Sequence, residues 1–192
     1  MLLIPFWTNQ GLLPPIDEQD PTSPNRAPYP TDVLQVTERF STSIERCLVL
    51  EGFLAHRAEI HKIGISGGIQ WLNGSFMENI ELLEGRPPND MDVMTFADIS
   101  PGAQASLTQD DVRVLTDNLW IKANYKVDFY LALLSDHPEA LIELAAYWYS
   151  MWAHRRSQQW KGFLSVSLDP TYDQQATDFL IVRKQEIQDE QN

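Results

Sequence analysis

Gly74-Ser75-Phe76 is followed, one short helix later, by Asp90-Met91-Asp92-Val93, and further on by Lys126-Val127-Asp128-Phe129-Tyr130. In an extended strand side chains alternate, so Asp90 and Asp92 face the same way, roughly 6–7 Å apart, while Met91 and Val93 face the other side. Asp128 sits in a second strand-like run that continues as Leu131-Ala132-Leu133-Leu134, where an unpaired buried charge would be costly. Two acids on one strand and a third on a neighbour would repel unless a cation lay among them.

Hard cations suit such a set. Mg²⁺ takes oxygen ligands at about 2 Å and is usually held by one or two carboxylates together with substrate phosphates. A pair of ions roughly 3.5–4 Å apart neutralises the attacking and the leaving oxygen of an in-line displacement. Asp90, Asp92 and Asp128 are therefore the expected metal ligands and catalytic residues, for two Mg²⁺ or Mn²⁺ ions. Gly74 lets backbone approach a phosphate, the Ser75 hydroxyl donates to it, and a helix read as starting at Phe76 would offer free N–H groups to a triphosphate. Glu78, in that first turn, disfavours an anion.

His154-Arg155-Arg156 with Lys161 is the main concentration of positive charge in an acidic chain. Arg155, Arg156 and Lys161 suit triphosphate or leaving pyrophosphate, and equally the complementation of a helix C-terminus. Trp148 and Trp152, four apart, read as core residues ahead of base-stacking platforms.

Moving outward, residues 1–30 are rich in proline and turns, which precludes long regular structure. Leu2, Leu3, Phe6 and Trp7 are expected to dock on the chain's own core. Residues 31–40 read as a short helix. Thr42-Ser43-Ile44-Glu45 resembles a capping box opening a helix to about 62, with Cys47, Leu50, Leu54 and Ala58 as its buried stripe. Gly64, Gly67 and Gly68 lead into a strand over 69–73. A polar loop is expected over 101–109, one helix over 110–124, and a helix opened by Pro138 and running to about 156. A strand over 162–168 and a helix over 172–187 close the chain. This order predicts an α/β (α+β) domain: a mixed sheet flanked by helices, with a C-terminal helix–strand–helix addition. Residues 1–41 form an extension and 42–192 the domain, whose core spans about 65–135.

The chain has 192 residues, 43% of them hydrophobic, enough for one good core. Acidic residues outnumber basic ones 27 to 14, a formal charge of -13 that repels phosphate backbones and argues against a grip on long duplex nucleic acid. The lone cysteine, Cys47, excludes an internal disulfide and a cysteine-rich zinc site and reads as a small buried hydrophobe. The sequence shows neither an apolar run of membrane-spanning length nor the basic leader of a signal peptide, so the expected location is the cytoplasm.

Gly74-Ser75, a spacer, Asp90-x-Asp92 and a third acid on an adjacent strand resemble the nucleotidyltransferase superfamily typified by DNA polymerase beta. The spacer from Phe76 to Asn89 is slightly long for its minimal members. Gly11-Leu12-Leu13-Pro14-Pro15, Tyr29-Pro30-Thr31-Asp32, Gln70 to Phe76, Arg86 to Asp92 and His154-Arg155-Arg156, with Trp160-Lys161-Gly162, further resemble a family of small bacterial nucleotidyltransferase-like proteins. The resemblance implies transfer of a nucleoside monophosphate from a triphosphate such as ATP to an acceptor, with release of pyrophosphate. It also implies a setting in toxin–antitoxin or antiviral defence modules, with a protein partner from the same operon. Two other readings stay open: a noncatalytic, acidic antitoxin-like interaction protein on the same fold, and a template-independent synthase of short oligonucleotides.

Overall fold

The computed structural model describes residues 4–190; Leu2 and Leu3 lie outside them. Five strands form one mixed sheet in the order β1-β5-β2-β3-β4. These are β1 (Tyr29–Thr31), β2 (Gly67–Asn73), β3 (Met91–Asp98), β4 (Val127–Leu133) and β5 (Leu164–Ser167). β2 runs antiparallel to both β3 and β5, whereas β3 with β4 and β1 with β5 are parallel. A mixed sheet with flanking helices is thus the architecture, as the alternation of elements predicts.

Sheet alternation sorts the side chains. On one face Gln70, Leu72, Val93, Thr95 and Phe129 meet α2 (Ile44–Lys62), seen in the His56–Phe129 ring contact at 4.6 Å and the Arg57 hydrogen bond to Gln70. α8 (Asp173–Glu190) packs beside α2 and against α1 (Val33–Phe40). Fully buried Arg57 ties this layer together: its guanidinium holds both carboxylate oxygens of Asp173 at 2.8 Å and the Ser167 carbonyl at 3.2 Å. The other face carries Trp71, Asn73, Asp92, Met94, Phe96, Asp128 and Tyr130. It is covered by α7 (Pro138–Trp152), whose Trp148 lies 4.5 Å from the Tyr130 ring.

Several helices differ from the sequence expectation, each for a local reason. α2 is capped by Ser43, which accepts from Arg46 N, so the start lies one residue beyond the Thr42 box; Ala58 is exposed, and Phe53, Arg57 and Ile60 complete the buried stripe. The stretch expected as a loop contains α4 (Pro101–Ser106), capped by Ser100 with Pro101 at a first-turn position. The helix expected over 110–124 is two, α5 (Gln109–Thr116) and α6 (Asn118–Tyr125). Asp117 ends the first and its side chain caps the second at Trp120 N. α7 stops at Trp152, four residues short of the expected end.

The extension read from sequence shares the domain's core. Ile4, Leu13, Ala27, Tyr29, Val33 and Phe40 belong to one apolar cluster that reaches Ile187. Trp7 donates to the Met77 carbonyl at 2.8 Å and packs on Phe40, while Phe6 is exposed. Cys47 is buried and free of any disulfide. Among the described residues no helix is long and apolar enough to cross a membrane.

Candidate active site

The three acids meet at the start of β3 and β4. Because these strands are parallel and in register, Asp92 lies directly opposite Asp128, at a strand spacing of about 4.8 Å. Asp90 immediately precedes β3 on the same face. All three face one basin, and two of them, Asp90 and Asp128, are bridged there by a side chain outside the acidic pattern. Lys122 Nζ stands 2.7 Å from Asp90 Oδ2 and 3.0 Å from Asp128 Oδ2. One turn earlier on α6, Asn118 donates to Asp128 Oδ1 at 2.7 Å and accepts from Phe129 N at 3.0 Å. Asn118 and Lys122 are four apart, so one helix face delivers both to Asp128. That spacing, just ahead of the Asp128 strand, was the available signal.

α6 is pinned in place from behind. Gly52 of α2 lies so close to the Tyr125 carbonyl that a Cβ there would fall 1.9 Å from its oxygen. Lys126 then takes a left-handed conformation, φ 56°, that ends α6 and turns the chain into β4.

The three carboxyls do not share one environment. Burial, then the charges of Asp128 and Asp90, push Asp92 up to about 6. Asp92 makes no ion pair among the described residues. Asp128 is also pushed up by burial, but the Asn118 and Lys122 hydrogen bonds and the lysine's charge outweigh this and hold it below its ordinary value. The Asp90 and Asp128 bonds raise the pKa of Lys122, so it stays charged.

Gly74 stands against this basin. Its φ of 85° suits glycine, and a Cβ would fall 2.7 Å from Asp92 Oδ2. The expected helix at Phe76 is instead a single 3-10 turn, Ser75–Met77, followed by extended Glu78 and a five-residue helix, α3 (Ile80–Glu84), capped by Asn79. The segment after Gly74-Ser75 therefore offers no long helix dipole to the site. Fully buried Arg46 of α2 fixes this loop by donating to the Phe76 carbonyl at 2.8 Å and the Glu78 carbonyl at 2.6 Å, with Glu81 as its counter-ion at 2.6 Å.

Glu78 also reorganises the basic cluster. Lys161, 5% exposed, is 2.6 Å from Glu78 Oε1 and 3.3 Å from the Gly74 carbonyl; Arg155 is 3.0 Å from Glu78 Oε2 and 2.6 Å from Glu84. Lys161 thus lies under the Gly74 turn as a neutralised support, and Arg156 is exposed. The β2 to β5 and loop contacts that bring residue 161 to residue 78 could not be read from local pattern.

Do these residues fit a divalent ion? Among the described residues no group of three or more His, Cys, Asp or Glu is gathered as a ready cage. Lys122 takes up oxygens of Asp90 and Asp128. What remains suits a cation: Asp92 has like charges beside it and no ion-pair partner among the described residues, Gly74 lets the backbone close on its carboxylate, and Asn73 Oδ1, buried opposite Asp92, accepts no hydrogen bond. A cavity of about 460 Å³ reaches Asp90 and Lys122 from between α2 and α6, lined also by Leu48, Glu51 and Tyr125. A larger one, about 900 Å³, lies under the N-terminal segment beside Trp160 and touches none of the acids. The smaller borders Asp90 alone of the three acids; neither Asp92 nor Asp128 lines it.

Residues 5–167 match the family model described as a family of unknown function (DUF6932), and the chain belongs to that family. No curated protein and no solved structure matches it.

Proposed function

We propose that this DUF6932 member is a metal-dependent nucleotidyltransferase, on a fold of nucleotidyltransferase type, moving a nucleoside monophosphate from a triphosphate to an acceptor. The observation that carries this reading is the in-register placement of Asp92 against Asp128, beside the positive-φ Gly74 that closes on the Asp92 carboxylate. Asp92 and Asp128, with Asp90 at the rim, would hold divalent cations; such ions supply electrostatic stabilisation of the charge that builds on the phosphate oxygens. Gly74 and Ser75 let backbone and hydroxyl close on the β and γ phosphates. Exposed Arg156 is the cation of the basic cluster left to meet them, with Arg155 and Lys161 holding the Glu78 loop in shape. Asp128, kept ionised and fixed by Asn118, orients the attacking group. The acceptor hydroxyl gives its proton to Asp128 as its oxygen bonds to the α-phosphorus, the bond from that phosphorus to the α–β bridging oxygen breaks, and pyrophosphate leaves with the electron pair.

A cytoplasmic setting in a defence or toxin–antitoxin module, with a partner from the same operon, is part of the proposal and rests on sequence resemblance. One observation favours a second reading, a noncatalytic interaction protein on this fold: Lys122, Arg155 and Lys161 already have carboxylate partners. Incubation with each labelled nucleoside triphosphate and Mg²⁺ or Mn²⁺, with and without neighbouring gene products, separates the two. Pyrophosphate release that is lost in Asp92→Asn and Asp128→Asn supports transfer, and chain-length analysis of the product reveals or excludes oligonucleotide synthesis. Absence of pyrophosphate under every condition, with biological activity intact in Asp128→Asn, overturns transfer.

A further inference from the structure

Resting on the metal reading above, we propose that Lys122 is a built-in cation that stands in for one of the two divalent ions, so the site binds a single ion, between Asp92 and Asp128. Charge is the first ground. Three carboxylates carry a formal charge of three, Lys122 cancels one, and the remainder matches one divalent ion. Lys161 is paired with Glu78 at 2.6 Å and lends Asp92 only a longer-range attraction, with no ion pair.

Position is the second ground. Lys122 Nζ lies within 3.0 Å of both Asp90 and Asp128, the place a bridging ion would need, and it approaches from the rim, leaving Asp92 without an ion pair. An ion bonded to Asp90 would have to displace it. Asp128 is saturated on that side too: Asn118 donates to one oxygen and Lys122 to the other. A carboxylate has about four acceptor sites, so Asp128 keeps capacity for an ion beyond these two, with the Tyr130 hydroxyl its other near donor. The third ground is placement: Lys122 shares its helix face with Asn118, which holds the other oxygen of Asp128, and α6 is seated closely against α2 at Gly52.

Counting Mn²⁺ bound to the purified chain tests this without any turnover, by electron paramagnetic resonance of the unbound ion and by native mass spectrometry. Wild type is expected to bind one Mn²⁺ and Lys122→Arg, which keeps the charge, also one. Lys122→Gln is expected to bind two, and Asp92→Asn none. Circular dichroism and thermal melting of each variant establish that it is folded. Two ions in wild type, or still one in folded Lys122→Gln, overturn the role of Lys122 and leave the metal site standing. No ion in wild type but one or two in Lys122→Gln also overturns it, since the lysine then excludes metal instead of sharing the site. No ion in wild type or in Lys122→Gln overturns the metal reading itself.

Discussion

Asp92→Asn removes a charge while keeping the side chain's shape, and in the metal-free chain it is expected to stabilise. The carboxyl ordinarily near 3.8 is pushed up to about 6 in the fold. Between those values the folded chain keeps a proton that the unfolded chain has released. Stability from this group is therefore fully present below 3.8 and is lost as pH rises through about 6. At about 1.4 kcal/mol per pH unit, the difference reaches at most about 3 kcal/mol above that window. For a chain of this size that corresponds to a melting point raised by roughly 6–12 °C in the variant. Urea unfolding in EDTA is the assay, with variant and wild type compared near pH 7.5 and near pH 4; other titrations, that of His56 included, cancel in the comparison. The variant should lead at the higher pH and the gap should close at the lower one. A variant no more stable than wild type near pH 7.5, or a gap independent of pH, would refute the crowding of buried charge at Asp92.

Four further outcomes follow from the same geometry. Burial holds His56, which meets the Val114 carbonyl at 2.9 Å, down to about 4 from 6.5, so its contribution to stability is lost as pH falls through that window. The loss amounts to about 3 kcal/mol, and His56→Leu should flatten this slope in a pH series of urea melts. Gly74→Ala must adopt φ 85° and push the Asp92 carboxylate aside; a destabilisation of about 1–3 kcal/mol and loss of Mn²⁺ binding are expected, by melting and by resonance. Gly52→Ala forces α6 off α2, so amide exchange should rise across Asn118–Tyr125. Arg57→Met strands Asp173 and should lower unfolding free energy by about 3–5 kcal/mol in urea.

The local rules of the chain were legible where period and punctuation agreed. Strand alternation put Asp90 and Asp92 on one face, and the apolar run around Asp128 gave β4 almost to the residue. Where one residue has two duties, the pattern misleads: Asp117 reads as a helix interior position, yet it closes α5 and opens α6. Phe76 follows a glycine and a serine, a plausible helix start, but Arg46 fixes the Phe76 and Glu78 carbonyls and holds the loop extended at Glu78. Nothing local announces a guanidinium thirty residues upstream. The basic cluster shows the same limit. Arg155 and Lys161 stand out as cations in an acidic chain, but their partner Glu78 is joined to them only through the tertiary fold. Lys122 was within reach, because its spacing from Asn118 and its place before β4 aim it at Asp128. A metal-site pattern is made of acids alone, and a cation already among them has no place in it.

The most direct measurement is anomalous X-ray scattering from a crystal of the chain soaked in Mn²⁺. The account places one anomalous peak bonded to both Asp92 and Asp128, with the Lys122 ammonium still on Asp90. A map with no peak between those two carboxylates, in a crystal where they are ordered and ionised, would contradict it.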